Sequence, residues 1–399
     1  MKIVKLGDVV DLFNGSTPLK TNKNYWVNGD IPWFTVDDLR KQGKYITYTE
    51  KFITKLGLKE SSLSLIPENA VLLCCTASVG AIAINKIRLT TNQQFNALVV
   101  KNPEQLLVEF LYYWFLANMD TLKSLGRATT IDYISMTKLR DMTLQLPSLQ
   151  KQHEIAEKLD RVFAEIDLLE KSLALCDERL NNLLLSLLSE AYIATPDENE
   201  LGSTSGDQSV VTKLVSLGTV AEVIAGQSPE GIYYNSIGNG APFYQGKKEF
   251  GDKFLGAPTT WTTKVTKLAQ PGDILMSVRA PVGPINFTTQ EICIGRGLAS
   301  IRASKLLNKD FLYYFLLHKQ PEISGNTGAV FDSINKEQIA SIVIPFLSLE
   351  KQKIIVEKLN SVFAAIDSLK MQIRKEKEYA VALRQSLLRN VFTQEEAVA

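Results

Sequence analysis

The sequence predicts an α+β protein: two tandem globular α/β units, each followed by one long helix, with the two helices pairing as a coiled coil. Three observations predict this. First, residues 148–192 contain no proline or glycine and place apolar side chains at alternating steps of four and three: Ile155, Leu159, Val162, Ile166, Leu169, Leu173, Cys176, Leu180, Leu183 and Leu187. A 3.5-residue period held over so many turns marks a coiled-coil seam rather than an ordinary surface helix. Second, the stretch returns 200 positions later as residues 348–392, with a seam of Ile355, Leu359, Val362, Ile366, Leu369, Ile373, Ala380, Leu383 and Leu387, interrupted only by Glu376. Polar positions recur too (Gln152 as Gln352, Lys158 as Lys358), which an amphipathic face alone does not dictate. Third, the segments before the helices repeat: LGDVVDLFNGSTP at Leu6 returns as LGTVAEVIAGQSP at Leu217, and Phe110-Leu-Tyr-Tyr113 as Phe311-Leu-Tyr-Tyr314.

The expected organisation is a first globular unit over 1–147, a central long helix over 148–192, a flexible linker over 193–212, a second globular unit over 213–347, a C-terminal long helix over 348–392 and a tail over 393–399. The linker is polar and lacks lysine and arginine, as a solvated connection does. In the first unit, Leu6, Val9, Val10 and Phe13 stand at helical spacing, ended by Gly15 and Pro18. Residues 19–46 read as loop-rich. Ala70–Cys75, Ala81–Asn85 and Phe95–Val100 read as strands, Phe110–Asn118 as an apolar helix and Leu139–Leu146 as extended chain. Each long helix would span about 65 Å at 1.5 Å per residue, and such a seam needs a partner helix.

The chain has 399 residues, 45% hydrophobic and 22% charged, with a net charge of +1. This suits globular domains with sizeable cores. No apolar run is long enough to cross a bilayer and no secretory signal is present, so a cytoplasmic location is expected. The four cysteines, Cys74, Cys75, Cys176 and Cys293, lack metal-ligand spacing and read as free thiols. The globular units are mildly basic and the first long helix acidic, which permits a nucleic-acid partner.

No catalytic constellation is visible. The two histidines, His153 and His318, have no ligand-type neighbours. There is no phosphate-cradling GxxxxGK[ST] motif, and Gly295-Arg-Gly297 lacks the third glycine of a dinucleotide site. No Asn-Pro-Pro-aromatic motif suits an amino-methylating enzyme, and Glu157-Lys158 and Glu357-Lys358 lie on the long helices as flanking charges. Neither a catalytic nor a metal site is therefore expected. What remains is binding surface. The middles of the two units diverge most, as two readers on a shared frame would. Candidates for DNA contact are Lys20, Thr21, Lys23, Asn24, Asn92, Gln93, Gln94 and Arg127 in the first unit. Tyr244, Gln245, Lys247, Lys248, Arg279, Arg296 and Asn326 are those of the second. Amides can pair with adenine and guanidinium groups with guanine, while lysine and arginine anchor phosphates. Trp33 and Phe34 are expected in the core.

GDILMSVRAPVG (272–283), NTGAVFDSINKEQI (326–339), IPFLSLEKQKIIVEKLNSVFAAID (344–367) and its counterpart LPSLQKQHEIAEKLDRVFAEID (146–167) together resemble the specificity subunit of type I restriction–modification enzymes, over nearly the whole chain. The resemblance implies that the globular units are target recognition domains, each reading half of an asymmetric bipartite sequence in double-stranded DNA. It implies that the long helices pack antiparallel and set the spacing. It further implies two methyltransferase (modification) subunits and restriction (motor-nuclease) subunits as partners, which would bind the S-adenosylmethionine, ATP and Mg, with no cofactor on this chain and no membrane partner. Self-association of the chain purified alone would fit the same reading. CCTASVGA stands in the first unit where the second has SVRAPVGP, so Arg279 has no arginine counterpart. An enzyme acting alone, or a protein-binding scaffold without a DNA role, are the alternatives; the missing motifs argue against the first and the polar loops against the second.

Overall fold

The structure is a computed structural model, and it describes residues 2–76, 80–126, 134–193, 213–324 and 333–393. The expected linker and tail lie outside these residues apart from Ile193 and Thr393. The chain divides into two compact units, residues 1–173 with 375–399, and residues 174–374.

The first unit opens with β1 (Lys2–Lys5), the single turn α1 (Leu6–Val9) and β2 (Val10–Asn14). The helical spacing of Leu6 to Phe13 is thus realised only as far as Val9. Beyond it, Val10 and Leu12 turn inward at a strand period while β2 pairs antiparallel with a later strand. The stretch expected as loop carries β3 (Ile31–Phe34), α2 (Val36–Gln42) and β4 (Tyr45–Ile46), and β5 (Phe52–Ile53) and α3 (Lys55–Glu60) follow it. Thr35 and Asp38 close a capping box on α2. Next come β6 (Ala70–Cys74), β7 (Ile82–Asn85), β8 (Thr90–Thr91) and β9 (Phe95–Val100). The helices α4 (Val108–Ala117), α5 (Met119–Gly126) and α6 (Met136–Asp141) follow, then β10 (Thr143–Leu146) and the long helix α7 (Leu149–Ile193). The extended reading of Leu139–Leu146 is corrected, because Ser135 caps a helix that includes Leu139. The main sheet runs β2-β9-β6-β7-β4, a second runs β5-β3-β8, and β1 pairs with β10.

The second unit repeats this plan. It comprises β11 (Leu214–Ser216), α8 (Leu217–Val220), β12 (Ala221–Ala225), β13 (Tyr234–Asn235), β14 (Ala241–Tyr244), β15 (Trp261–Thr262) and β16 (Leu268–Ala269). It continues with β17 (Ile274–Ser277), β18 (Ile285–Phe287), β19 (Ile292–Ile294), β20 (Leu298–Ala303), α9 (Lys309–Ile323), α10 (Lys336–Ala340), β21 (Val343–Pro345) and α11 (Leu349–Thr393). The order β12-β20-β17-β18 matches β2-β9-β6-β7, and β11 pairs with β21.

Each core is closed by both long helices. In the first unit Ile155, Ala156 and Leu159 of α7 and Leu388 of α11 join the cluster around Phe110, Leu111 and Phe115. Phe392 meets Phe110 at 5.5 Å. In the second unit the roles exchange: Ile355, Val356 and Leu359 of α11 join Leu188 and Tyr192 of α7 around Phe311 and Phe315. The Tyr192 hydroxyl donates to the Phe311 carbonyl at 2.8 Å. Within each unit the helices run antiparallel, since Ile155 and Leu159 share a cluster with Leu388 while Asp167 and Glu170, farther along α7, pair with the earlier Arg384. In the second unit Lys370 donates to Asn181 at 2.6 Å.

The seam itself is corrected at alternate positions. Ile155, Leu159, Ile166, Ile355, Leu359 and Ile366 are buried, and Leu173, Leu180 and Ile373 are half-buried. Leu169, Leu369 and Leu383 are exposed, as is Leu183, while Val162 and Val362 are half-buried. After Leu159 the inward stripe steps four residues to Phe163, then to Ile166, Glu170 and Leu173. Apolar spacing alone could not choose between Val162 and Phe163, which differ by 100° about the helix axis. Both are half-buried, and it is Phe163 that joins the core cluster, packing on Tyr113 at 5.5 Å and carrying the Arg384 guanidinium at 5.2 Å. Glu170 then faces inward to meet that arginine.

The start of each long helix is pinned by a buried amide. Gln152 accepts from the Leu107 amide N–H (2.8 Å) and donates to the carbonyls of Gln105 (2.9 Å) and Pro147 (3.0 Å). Gln352 repeats this with Asn308, Leu306 and Leu347 at 2.6, 3.1 and 2.8 Å. The recurrence of a glutamine inside an apolar stripe has this cause: both N–H groups and one lone pair of its amide are satisfied without water.

Candidate nucleic-acid interface

One corner of the globular fold is built in the same way in both units. At the end of β2 the chain leaves at Gly15, whose N–H donates to the Phe95 carbonyl at 3.1 Å, and the Ser16 N–H reaches Thr91 at 3.0 Å. A Cβ at Gly15 would stand 1.9 Å from the Asn92 carbonyl oxygen, so only glycine allows this approach. In the second unit Gly226 follows β12, its N–H donates to Leu298 at 2.9 Å, and a Cβ there would lie 2.2 Å from the Gly295 oxygen. The strands behind are parallel pairs in both, β3 with β8 and β14 with β19. Two turns result, Asn92–Phe95 and Gly295–Leu298, each closed by an N–H to carbonyl bond of 3.2 and 3.0 Å respectively. Gln93 and Arg296 occupy the same exposed second position of these turns.

In the first unit the segment that follows Gly15 is tied down by tryptophans. The Trp33 indole donates to the Ser16 carbonyl at 3.1 Å and Trp26 to Leu19 at 3.2 Å, and the two rings meet edge to face at 5.0 Å. Lys20, Thr21, Lys23 and Asn24 are exposed beside them, Lys23 and Asn24 on a single turn capped by Asn22. The Thr17 hydroxyl donates to the Gln93 side-chain carbonyl. Trp33 and Phe34 are buried, as expected.

In the second unit the corner opens on a cleft of about 650 Å³, lined by Arg279, Arg296, Ser333, Asn335, Lys336 and Glu337 over Ala225 and Leu298. Arg279 is brought there by an antiparallel bridge to Ser333. Among the described residues, neither the Arg279 nor the Arg296 guanidinium has a hydrogen-bond or ion-pair partner, whereas Arg302 and Arg384 are both committed to carboxylates. Gln245, Lys247 and Lys248 are exposed alongside, with the two lysines on a single turn, Lys247–Glu249. A basic, open cleft with uncommitted guanidinium groups is suited to phosphate and base-edge contact.

Two expected contact residues are corrected. Asn92 is buried, and both ends of its amide serve the turn: Nδ2 donates to Gln94 Oε1 at 3.1 Å and Oδ1 accepts from the Gln94 N–H at 3.0 Å. Gln94 is half-buried by the same exchange. Tyr244 is the counterpart of Phe34, 1% exposed, with its hydroxyl donated to Gly256 at 2.8 Å. It faces the core because β14 repeats the alternation of β3. Arg127 and Asn326 lie outside the described residues. Ser333, Asn335 and Lys336 carry no sequence signal of their own, because only the fold brings the start of α10 and the residues before it to the corner. The equivalence of Gln93 and Arg296 was hidden likewise; the recurring glycine of the duplicated opening is the signal that leads to it.

Elsewhere, titratable groups are spent on structure. The Lys44 ammonium sits over Tyr113 at 4.5 Å and Tyr112 at 5.1 Å and pairs with Asp160, which also accepts from the Tyr113 hydroxyl. Burial holds the Lys44 pKa below its ordinary value, with Asp160 opposing. The second unit fills the same place from a different loop: Lys253 pairs with Asp310 at 3.2 Å over Tyr314 at 5.1 Å, and Tyr314 donates to Asn360 at 2.6 Å. Burial pushes Tyr314 and the Cys75 thiol up to about 12, which leaves that thiol inert. Among the described residues no cluster of histidine, cysteine and carboxylate could hold a metal ion, and no helix is long and apolar enough to cross a membrane.

Comparison with known proteins agrees with the duplicated architecture. The family model of the type I restriction modification DNA specificity domain matches residues 1–175 and again 212–378. A sequence of Methanocaldococcus jannaschii carried under the name of a type I restriction enzyme MjaX specificity subunit is 33% identical over 307 residues, 74% of this chain and 70% of its own length. A solved chain from work on the assembly and conformational transition of a type I R-M system is 26% identical and superposes with a TM-score of 0.81, covering 98% of this chain and 97% of its own. The HsdS subunit from Thermoanaerobacter tengcongensis, also 26% identical, gives 0.57 over 98% and 96%.

Proposed function

The chain belongs to the type I restriction–modification DNA specificity family, and from that premise we propose that it is the sequence-reading subunit of such an enzyme. Each globular unit reads one block of an asymmetric bipartite duplex target. The long helices fix the unread gap between the blocks and dock two methyltransferase subunits, which restriction subunits join. The observation that carries this reading is the corner built twice on one frame and faced with different chemistry, an amide in one unit and free guanidinium groups in the other. Readers of two different blocks need this combination, because the frame sets register while the side chains set sequence.

On this reading the subunit works in the cytoplasm and is itself non-catalytic, and S-adenosylmethionine, ATP and Mg belong to its partners. Exposed Leu169, Leu183, Leu369 and Leu383 on the long helices supply apolar surface for those partners, and for self-association when the chain is alone.

The test is a genome-wide map of methylated adenines in the source cell with and without this gene. Loss of one motif, made of two short blocks around a fixed gap, is the expected result. An unchanged map, together with no methyltransferase co-purifying with the chain, would overturn the reading. Removing one heptad from both long helices should shorten the gap or abolish recognition; an unchanged gap would reject the helices as the ruler. Purified chain given DNA and S-adenosylmethionine alone should methylate nothing.

A further inference from the structure

The two equivalent turns carry chemistry that distinguishes bases. Gln93 and Arg296 hold the same position, on turns that glycines clamp from behind in the same way. Their immediate supports differ in kind but come from the same place. Thr17 and Ser228 are matching residues of the duplicated opening. The Thr17 hydroxyl donates to the Gln93 side-chain oxygen, and the Ser228 oxygen accepts from the Arg296 backbone N–H at 3.2 Å.

Arg296 is flanked by glycines for a packing reason. A Cβ at Gly297 would lie 2.3 Å from the Gln245 carbonyl oxygen, and one at Gly295 would lie 2.9 Å from the Phe243 ring. The turn is therefore pressed against the end of β14, and Arg296 is its only side chain beyond Cα before Leu298. It is exposed, and among the described residues its guanidinium has no partner.

We propose that this turn position reads one base in each half of the target, Gln93 an adenine and Arg296 a guanine. A carboxamide matches adenine by accepting from N6 and donating to N7, and a guanidinium matches guanine by donating to O6 and N7. Thr17 is a positioning residue: it occupies one lone pair of the Gln93 oxygen and leaves the other lone pair and both N–H groups for the base. Arg279, across the same cleft, has Thr76 as its counterpart in the first unit and anchors phosphate instead. The inference rests on the proposed DNA-reading function and adds which residues set one base in each block.

The experiment uses the full-length chain, purified from its own cell with the subunits that accompany it. It is offered a duplex pool with two randomised blocks, and the bound fraction is sequenced. Arg296→Lys keeps the charge but not the fork. It should cost one guanine in one block about 5- to 150-fold of its selection, with the other block and the gap unchanged. Gln93→Arg should turn one adenine of the other block into guanine, and Thr17→Val should relax that same position without turning it. A motif unchanged in the Arg296 and Gln93 variants overturns the inference and leaves the function standing. So does loss of selection at every position, which marks a structural or phosphate-binding role. A natural chain that enriches no motif overturns the function itself.

Discussion

Gln152→Leu removes the amide that joins the first globular unit to α7, and the structure fixes how much that should cost. Gln152 is fully buried, so water does not replace what the substitution takes away. Three backbone groups lose a partner. The Gln105 carbonyl belongs to an exposed residue and can turn to solvent. The Leu107 N–H and the Pro147 carbonyl lie at 2.8 and 3.0 Å from the amide, inside the joint between domain and helix. Each orphaned buried group costs about 1–3 kcal/mol. The leucine contributes apolar burial of similar shape, which offsets part of this. The expected loss is about 3 kcal/mol for the first unit. Tryptophan fluorescence during urea unfolding is the assay. Trp26, Trp33 and Trp114 all lie in the first unit and only Trp261 in the second, so the signal follows mainly the unit that was changed. At a slope of about 1–3 kcal/mol per molar urea the midpoint should fall by roughly 1–3 M. Gln352→Leu should act equally on the second unit, followed by amide hydrogen exchange in α9. A loss below about 0.5 kcal/mol in either would refute the view that these amides pin the helices.

Four further outcomes are expected. Asp273→Ala takes both bidentate bonds from Arg302 (2.9 and 2.8 Å), which keeps Glu222 at 3.3 Å, and leaves the buried Ser300 hydroxyl and the Gln270 N–H without their acceptor; the second unit should lose about 1–3 kcal/mol in denaturant unfolding. Gly226→Ala forces a Cβ onto the Gly295 oxygen, so selection in the block read by the second unit should weaken while the other block is kept, measured by sequencing bound duplexes. Arg384→Ala removes the pairs to Asp167 and Glu170 and the contact on Phe163; the helix pair of the first unit should lose about 1–3 kcal/mol, read as faster hydrogen exchange near Glu170. His318 stacks on Tyr192 at 5.9 Å, and burial, with Lys319 adding to it and Glu322 opposing, holds its pKa below 6.5. The unfolded chain therefore takes up the proton first as pH falls, and the second unit should lose stability from about pH 7 downward until the folded pKa is passed. His318→Phe should flatten that part of the melting-temperature profile between pH 7.5 and 5.5.

The sequence by itself determined the large design. The duplicated openings, the Phe-Leu-Tyr-Tyr helices and the long stretches free of proline and glycine are local or periodic signals. Hydrophobic periodicity specifies a helix and its buried face to within a residue, and repetition specifies that whatever the first half folds into, the second half folds into again. The strands Ala70–Cys74, Ile82–Asn85 and Phe95–Val100 were legible for the same reason. The tertiary structure alone decided what depends on contacts between distant segments. It packed Phe163 against the first core and paired Glu170 with Arg384, because Tyr113 and Arg384 stand opposite. It made Val10–Asn14 a strand, because β9 lay alongside to pair with it. It buried Tyr244 and Asn92 although their residue types suit contact with bases. It gathered Arg279, Arg296 and Lys336 from three separate stretches into one cleft, and set Gln93 opposite Thr17 in the matching corner of the other unit. Exposure of a polar side chain is a property of its neighbours in space, and the chain carries no local mark of who those neighbours are until the strands have paired.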